Sequence, residues 1–142
     1  MANVFDIAAY ILAKKGPMTA MKLQKLVYYA QAWSLVWDEK PLFKNKIEAW
    51  ANGPVAPALY QEHKGQFQLH RLSSGDARKL APTEKGTVNA VLGFYGGKTS
   101  QWLSDLTHSE RPWVEARKGL KDGQRGANEI THAAMAEFYG SL

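Results

Sequence analysis

THSERPW, residues 107–113, sets His108 two positions from Glu110 and three from Asp105, so an imidazole could share a proton with a carboxylate partner. General acid–base work of that kind also needs a defined pocket and a second functional group. None of the serines has nucleophile-elbow or triad spacing around it. The same stretch reads more simply as a structural corner. Thr107 and Glu110 have capping-box spacing, and Pro112 can open a helix whose Trp113 turns inward. GFYGGKTS, residues 93–100, invites comparison with a phosphate-binding loop, but three residues separate Gly93 from Gly97 where the motif has four. Helical rather than strand periodicity precedes it, so a double-glycine stop followed by a cap is the better reading. His63, His70, His108 and His132 show no HExxH and no pair one helical turn apart. The chain has no cysteine, which removes disulfides, thiolate catalysis and thiolate-ligated zinc together. No catalytic residue, metal or cofactor is therefore assigned.

These residues must be carried by the elements of a 142-residue chain, the length of one domain, taken as residues 1–142. Hydrophobic residues are 45% and charged residues 22%, a globular balance. Net charge is +5, spread thinly over Lys14-Lys15, Lys44, Lys46, Arg78-Lys79 and residues 118–125. A diffuse excess of this kind is usually a solvated surface, and nucleic-acid binding is the minor reading. No signal peptide is visible, and the apolar start falls far short of the roughly 20 residues a membrane span needs. A cytoplasmic protein without membrane contact is expected.

The helix from Thr19 through Trp37 poses the main question. Thr19 is a suitable N-cap, and Met18 with Leu23 has staple spacing. Leu23, Leu26, Val27, Ala30, Ser34 and Trp37 make one face, yet Met21, Tyr28, Tyr29, Ala32, Leu35 and Val36 occupy the other. A helix apolar on all sides is central in a bundle, or it leaves one side for a partner. The two can coexist if Tyr28, Tyr29 or Lys25 reaches the surface. As a DNA-reading helix it is poorly equipped, since it shows tyrosines and leucine between two lysines.

Asn3 caps an earlier helix that Gly16-Pro17 stops; Asn52-Gly53-Pro54 marks a turn, and Pro57 suits a helix start. Residues 65–82 read as a loop or one short helix. Later helices open near Thr83, at Thr99 or Ser100, at Pro112 and at about Asn128. The expected architecture is mainly α, a compact bundle of six or seven helices, with room for one small β-hairpin near Trp50.

Several segments together resemble one family. MTAMKLQKLVYYAQAWSL, PLF, IEAWANGPVAPALY, LSDLTHSERPWVEAR and ITHAAMAEFYG look like the Panacea, or SocA-like, antitoxin domain, which includes phage-associated proteins called GepA. The resemblance implies a bacterial or phage-encoded, non-enzymatic antitoxin of a toxin–antitoxin system, acting on a cognate toxin by direct protein contact. It leaves open delivery of the toxin to a AAA+ protease. Leu23, Leu26, Trp50 and Trp113 are assigned to the fold, with Gly53, Pro54, Pro57, Thr107 and Pro112 as structural motif positions. The polar-tipped Lys25, Tyr28, Tyr29, Asn52, Tyr60 and His108 are candidates for partner contact. On that assignment Tyr28→Ala weakens toxin binding and leaves the thermal midpoint nearly unchanged.

Overall fold

Two side-chain caps set the first two helices. In the computed structural model, which describes Met1–Leu142, helix α1 spans Val4–Lys15. Asn3 Oδ1 accepts from Asp6 N at 3.0 Å, and the Asp6 carboxylate accepts from Asn3 N at 3.0 Å. A two-residue strand β1, Met18–Thr19, leads into helix α2, Ala20–Trp37. Thr19 Oγ1 accepts from Lys22 N at 3.1 Å, the cap its sequence position suggested.

Twelve of the eighteen residues of α2 are buried, on every side of the helix. Around it pack α1, α4 (Pro82–Tyr95), α5 (Ser100–Ser109) and α7 (His132–Gly140). Between α1 and α4 the chain also forms α3 (Pro57–His63), and α6 (Arg111–Ala116) follows α5. The fold is mainly α, with seven helices, as the periodicity suggested. Apolar surface on all sides of α2 is removed from water by its neighbours, and one buried cluster runs from Ala2 to Tyr139.

The hairpin near Trp50 exists and carries an extra strand. Strands β2 (Ile47–Trp50) and β3 (Gly53–Val55) pair antiparallel, with Ala49 opposite Pro54. Strand β5, Glu129–Ile130, adds to the other edge of β2, with Ile47 opposite Ile130. The last helix therefore begins at His132, capped by Thr131, and not near Asn128. Pairing across eighty residues leaves no local period to read. Strand β4, Gln68–Leu69, pairs with β1, and residues 77–79 form one 3₁₀ turn, so the polar section is more ordered than a loop.

Two expectations are corrected here. Tyr28 and Tyr29 are 1% and 0% exposed, so no tyrosine-edged ridge is left on α2 for a partner. Glu110 explains why the interior tolerates them. Its Oε1 accepts from the hydroxyls of Tyr29 and Tyr139, each at 2.7 Å. The Tyr28 and Tyr139 hydroxyls lie 3.0 Å apart. With the Tyr139 proton committed to Glu110, Tyr28 supplies the proton between them. The Tyr29 ring stacks on Tyr95 at 4.1 Å. Because its carboxylate serves this cluster, Glu110 makes no capping box with Thr107, whose hydroxyl instead donates to the Ser104 carbonyl at 2.9 Å. The stretch is a corner nonetheless: Glu110 ends α5 and leads into α6, with Pro112 and Trp113 buried.

Candidate functional site

The site begins with the polar residues of the first turns of α2. Gln24 is buried, and its side-chain amide is fully used. Its Oε1 accepts from Ala56 N at 2.9 Å, while its Nε2 donates to Ala56 O at 3.4 Å and lies 2.9 Å from His63 Nε2. One glutamine thus ties α2 to the residue before α3 and to the last residue of α3. His63 Nε2 accepts here, which places the ring proton on Nδ1. Burial pushes the His63 pKa below the ordinary histidine value and keeps the ring neutral.

Two turns along the same helix, Gln31 makes a parallel arrangement. Its Oε1 accepts from Leu42 N at 2.7 Å and its Nε2 donates to Phe43 O at 2.9 Å. Amide side chains in this otherwise apolar helix therefore fasten two irregular segments to it.

The β2–β3 hairpin is fixed from the other side. Trp113 Nε1 donates to Trp50 O at 2.9 Å, and Arg117 Nη1 donates to Ala49 O at 3.0 Å. Arg117 also donates to the carbonyls of Lys121 and Gln124, which anchors the segment after α6.

Between these supports lies a pocket of about 600 Å³. The first turns of α2, the hairpin, α3 and residues 125–127 enclose it. Trp50, Val55 and Tyr60 form an apolar wall, with the Trp50 and Tyr60 rings edge to face at 4.9 Å. Glu48 stands at the wall with its charge already answered: Oε1 accepts from Trp50 Nε1 at 2.8 Å, and Oε2 pairs with Lys46 Nζ at 3.1 Å.

Lys25 also lines this pocket, although it is only 1% exposed. No ion pair and no hydrogen bond from the protein reaches its ammonium, whose tip keeps a trace of solvent contact. Desolvation pushes its pKa down to about 8, so it remains mostly charged at neutral pH. Gly53 makes room for it, as described by the position of an added Cβ there, which would fall 2.5 Å from Lys25 Cε.

Of the six residues expected at a partner surface, Lys25, Asn52 and Tyr60 meet at this pocket. Tyr28 and Tyr29 belong to the interior cluster around Glu110. His108 stands outside the lining, stacked on Trp113 at 4.2 Å, with its buried Nε2 unpartnered. Burial and the nearby Lys25 charge hold its pKa down. Its carboxylate neighbours do not make the acid–base pair considered above, since Glu110 is taken by two tyrosines and Asp105 accepts from Gln101 at 2.8 Å.

Reading the sequence missed Gln24, Glu48, His63 and Arg125 as pocket residues. A signal existed only for Gln24: with Gln31 it forms a pair seven apart on a helix otherwise short of polar groups. Two exposed apolar side chains stand on or next to the lining, Phe67 following the lining residue Gln66. Met21 is 41% exposed, and Phe67, whose carbonyl accepts from Ala20 N at 2.9 Å, is 78% exposed.

Of the segments that enclose the pocket, α2 from Leu23 onward, the hairpin and α3 lie within the span a family model matches, as does the α5–α6 corner that supports the hairpin, while Ala20, Met21 and residues 125–127 lie outside it. The model described as antitoxin SocA-like, Panacea domain, matches residues 23–114, well over half of the chain, and the protein belongs to that family. A similar stretch occurs in antitoxin SocA of Caulobacter vibrioides (strain NA1000 / CB15N), 42% identical over 45 residues. That stretch is 32% of this chain and 24% of the relative, so it spans about a quarter of that protein's length. No solved structure matches the chain. No helix is long and apolar enough to cross a membrane.

Proposed function

We propose that the chain, as one domain of residues 1–142, is a cytoplasmic antitoxin that neutralises a cognate toxin by direct, stoichiometric protein contact. Membership of the SocA-like family supports the class. The observation that carries the contact reading is the exposure of Met21 and Phe67 at or beside a pocket of which eleven of the sixteen lining residues fall within the family-matched span. Masking needs affinity and buried area rather than bond-making, and a few aromatic or aliphatic anchors over roughly 1,600 Å² suffice.

The test is co-expression with the product of the neighbouring reading frame. Masking predicts toxicity of that product alone, rescue at equal expression and a purified complex of fixed stoichiometry. Phe67→Ala is expected to weaken the complex with an unchanged thermal midpoint. Rescue at a ratio far below one to one would sink the masking reading and favour an enzyme that reverses the toxin's damage.

A second reading has its own observation. At the far end of α2, about 20 Å from Gln24 at 1.5 Å per residue, Trp37 is half exposed and stacks on Trp33 at 5.1 Å. Two separated apolar surfaces suit an adaptor that holds a toxin at one and a AAA+ protease at the other. The adaptor reading predicts that Trp37→Ala leaves the complex intact but prolongs the toxin's lifetime in cells. A toxin equally long-lived with and without the adaptor would exclude it.

A further inference from the structure

The charge on Lys25 is unanswered by the protein around it. An ammonium withdrawn from water ordinarily has an anion or several acceptors beside it. The neighbouring acids are already engaged: Glu48 by Trp50 and Lys46, Asp105 by Gln101. Thr107 Oγ1, near the same space over Gly53, bonds to the Ser104 carbonyl and not to Lys25. The remaining cation of the lining, Arg125, adds to the positive side. With His63 neutral, Glu48 paired with Lys46 and Arg125 exposed to solvent, Lys25 is the one buried charge of the lining left unpaired, an excess of one positive charge.

We propose that this pocket binds a carboxylate carried on a compact apolar body, with the carboxylate against Lys25 and the body against Trp50, Val55 and Tyr60. A monoanion balances the single excess charge. A dianion such as a phosphate monoester would bring a second negative charge toward Glu48. The volume falls in the range of small-ligand pockets, and the mixture of one charged anchor with an apolar wall is what such sites use for orientation. The carboxylate belongs to a free small acid or to an acidic side chain presented by a protein; the chemistry at Lys25 is the same. This inference stands apart from the neutralisation reading, because it can be tested on the chain alone.

The experiment titrates protein labelled at the lysine ε-carbons, following the Lys25 signal and the Trp50 indole proton by NMR. The Lys25→Met variant assigns the signal. The free acid is 3-phenylpropionate, and its uncharged control is 3-phenylpropionamide. The protein-borne form is represented by acetyl-Leu-Glu-Leu-amide, with acetyl-Leu-Gln-Leu-amide as control. A carboxylate is expected to move both signals saturably and to bind at least tenfold more tightly than its amide, and Lys25→Met is expected to abolish that preference. Saturation by 3-phenylpropionate alone assigns the site to free acids, and saturation by the glutamate peptide alone assigns it to a protein-borne carboxylate. Neither acid binding better than its amide, or no saturable shift with any probe, overturns the proposal.

Discussion

Lys25 occupies the space that Gly53 leaves empty: a Cβ at position 53 would come within 2.5 Å of Lys25 Cε and 3.0 Å of its Nζ. Gly53 also has φ of 125°, a conformation L side chains rarely adopt. Gly53→Ala is therefore expected to destabilise the fold by roughly 1–3 kcal/mol, read as a lower urea midpoint, and to displace the Lys25 ε signal. A variant with both readings unaltered would show that Lys25 does not lie under the hairpin.

Lys25→Met removes a buried charge while keeping a chain of similar length. It is expected to stabilise the protein by roughly 1–3 kcal/mol at pH 7. The sign with pH follows from the depressed pKa, about 8 in the folded chain against 10.5 for the free amine. Below pH 8 the amine is charged in both states, and the full cost of burial, of order 3 kcal/mol, opposes folding. Between pH 8 and 10.5 the unfolded chain binds more protons, so the wild type gains stability as pH rises. Urea midpoints of both proteins at pH 7 and pH 10 should show the advantage of Lys25→Met shrinking; a constant advantage would contradict an unanswered charge.

Gln24→Leu keeps the volume of the side chain and strands Ala56 N, Ala56 O and His63. The expected cost is roughly 1–3 kcal/mol for each buried group left unpaired. Amide exchange at Ala56 should accelerate while that of Leu42, held by Gln31, changes little. Equal acceleration at both positions would mean that the two glutamines do not act separately.

Tyr28→Ala should cost roughly 3–5 kcal/mol, since it opens a cavity beside Tyr29 and Tyr139. Phe67→Ala beside the pocket should stay within about 0.5 kcal/mol. Thermal unfolding of the two variants checks the inward assignment of Tyr28, and a stable Tyr28→Ala would reverse it.

Much of the helical architecture was legible because caps and apolar periods are local. Asn3, Thr19 and Thr99 sit where their side chains can reach amides three residues on, and each does so. The inwardness of Tyr28 and Tyr29 was not legible. A tyrosine can turn its hydroxyl to solvent or to a buried acceptor, and the acceptor here, Glu110, lies 81 residues from Tyr29. The pocket was half legible. Lys25, Asn52 and Tyr60 were singled out, but only folding brings them together with Glu48, His63 and Arg125. The third strand was missed for the same reason, since nothing near Ile130 announces Ile47 as its neighbour.

That third strand bears on how the chain is made. Synthesis runs from the amino end, so the hairpin and α3 emerge first, while residues 125–127 and the strand that steadies them follow about seventy residues later. At ribosomal speed this is a delay on the order of several seconds, during which Trp50 and Tyr60 have no facing wall. A nascent chain consequently has an unfinished pocket until residues 125–127 have emerged and docked.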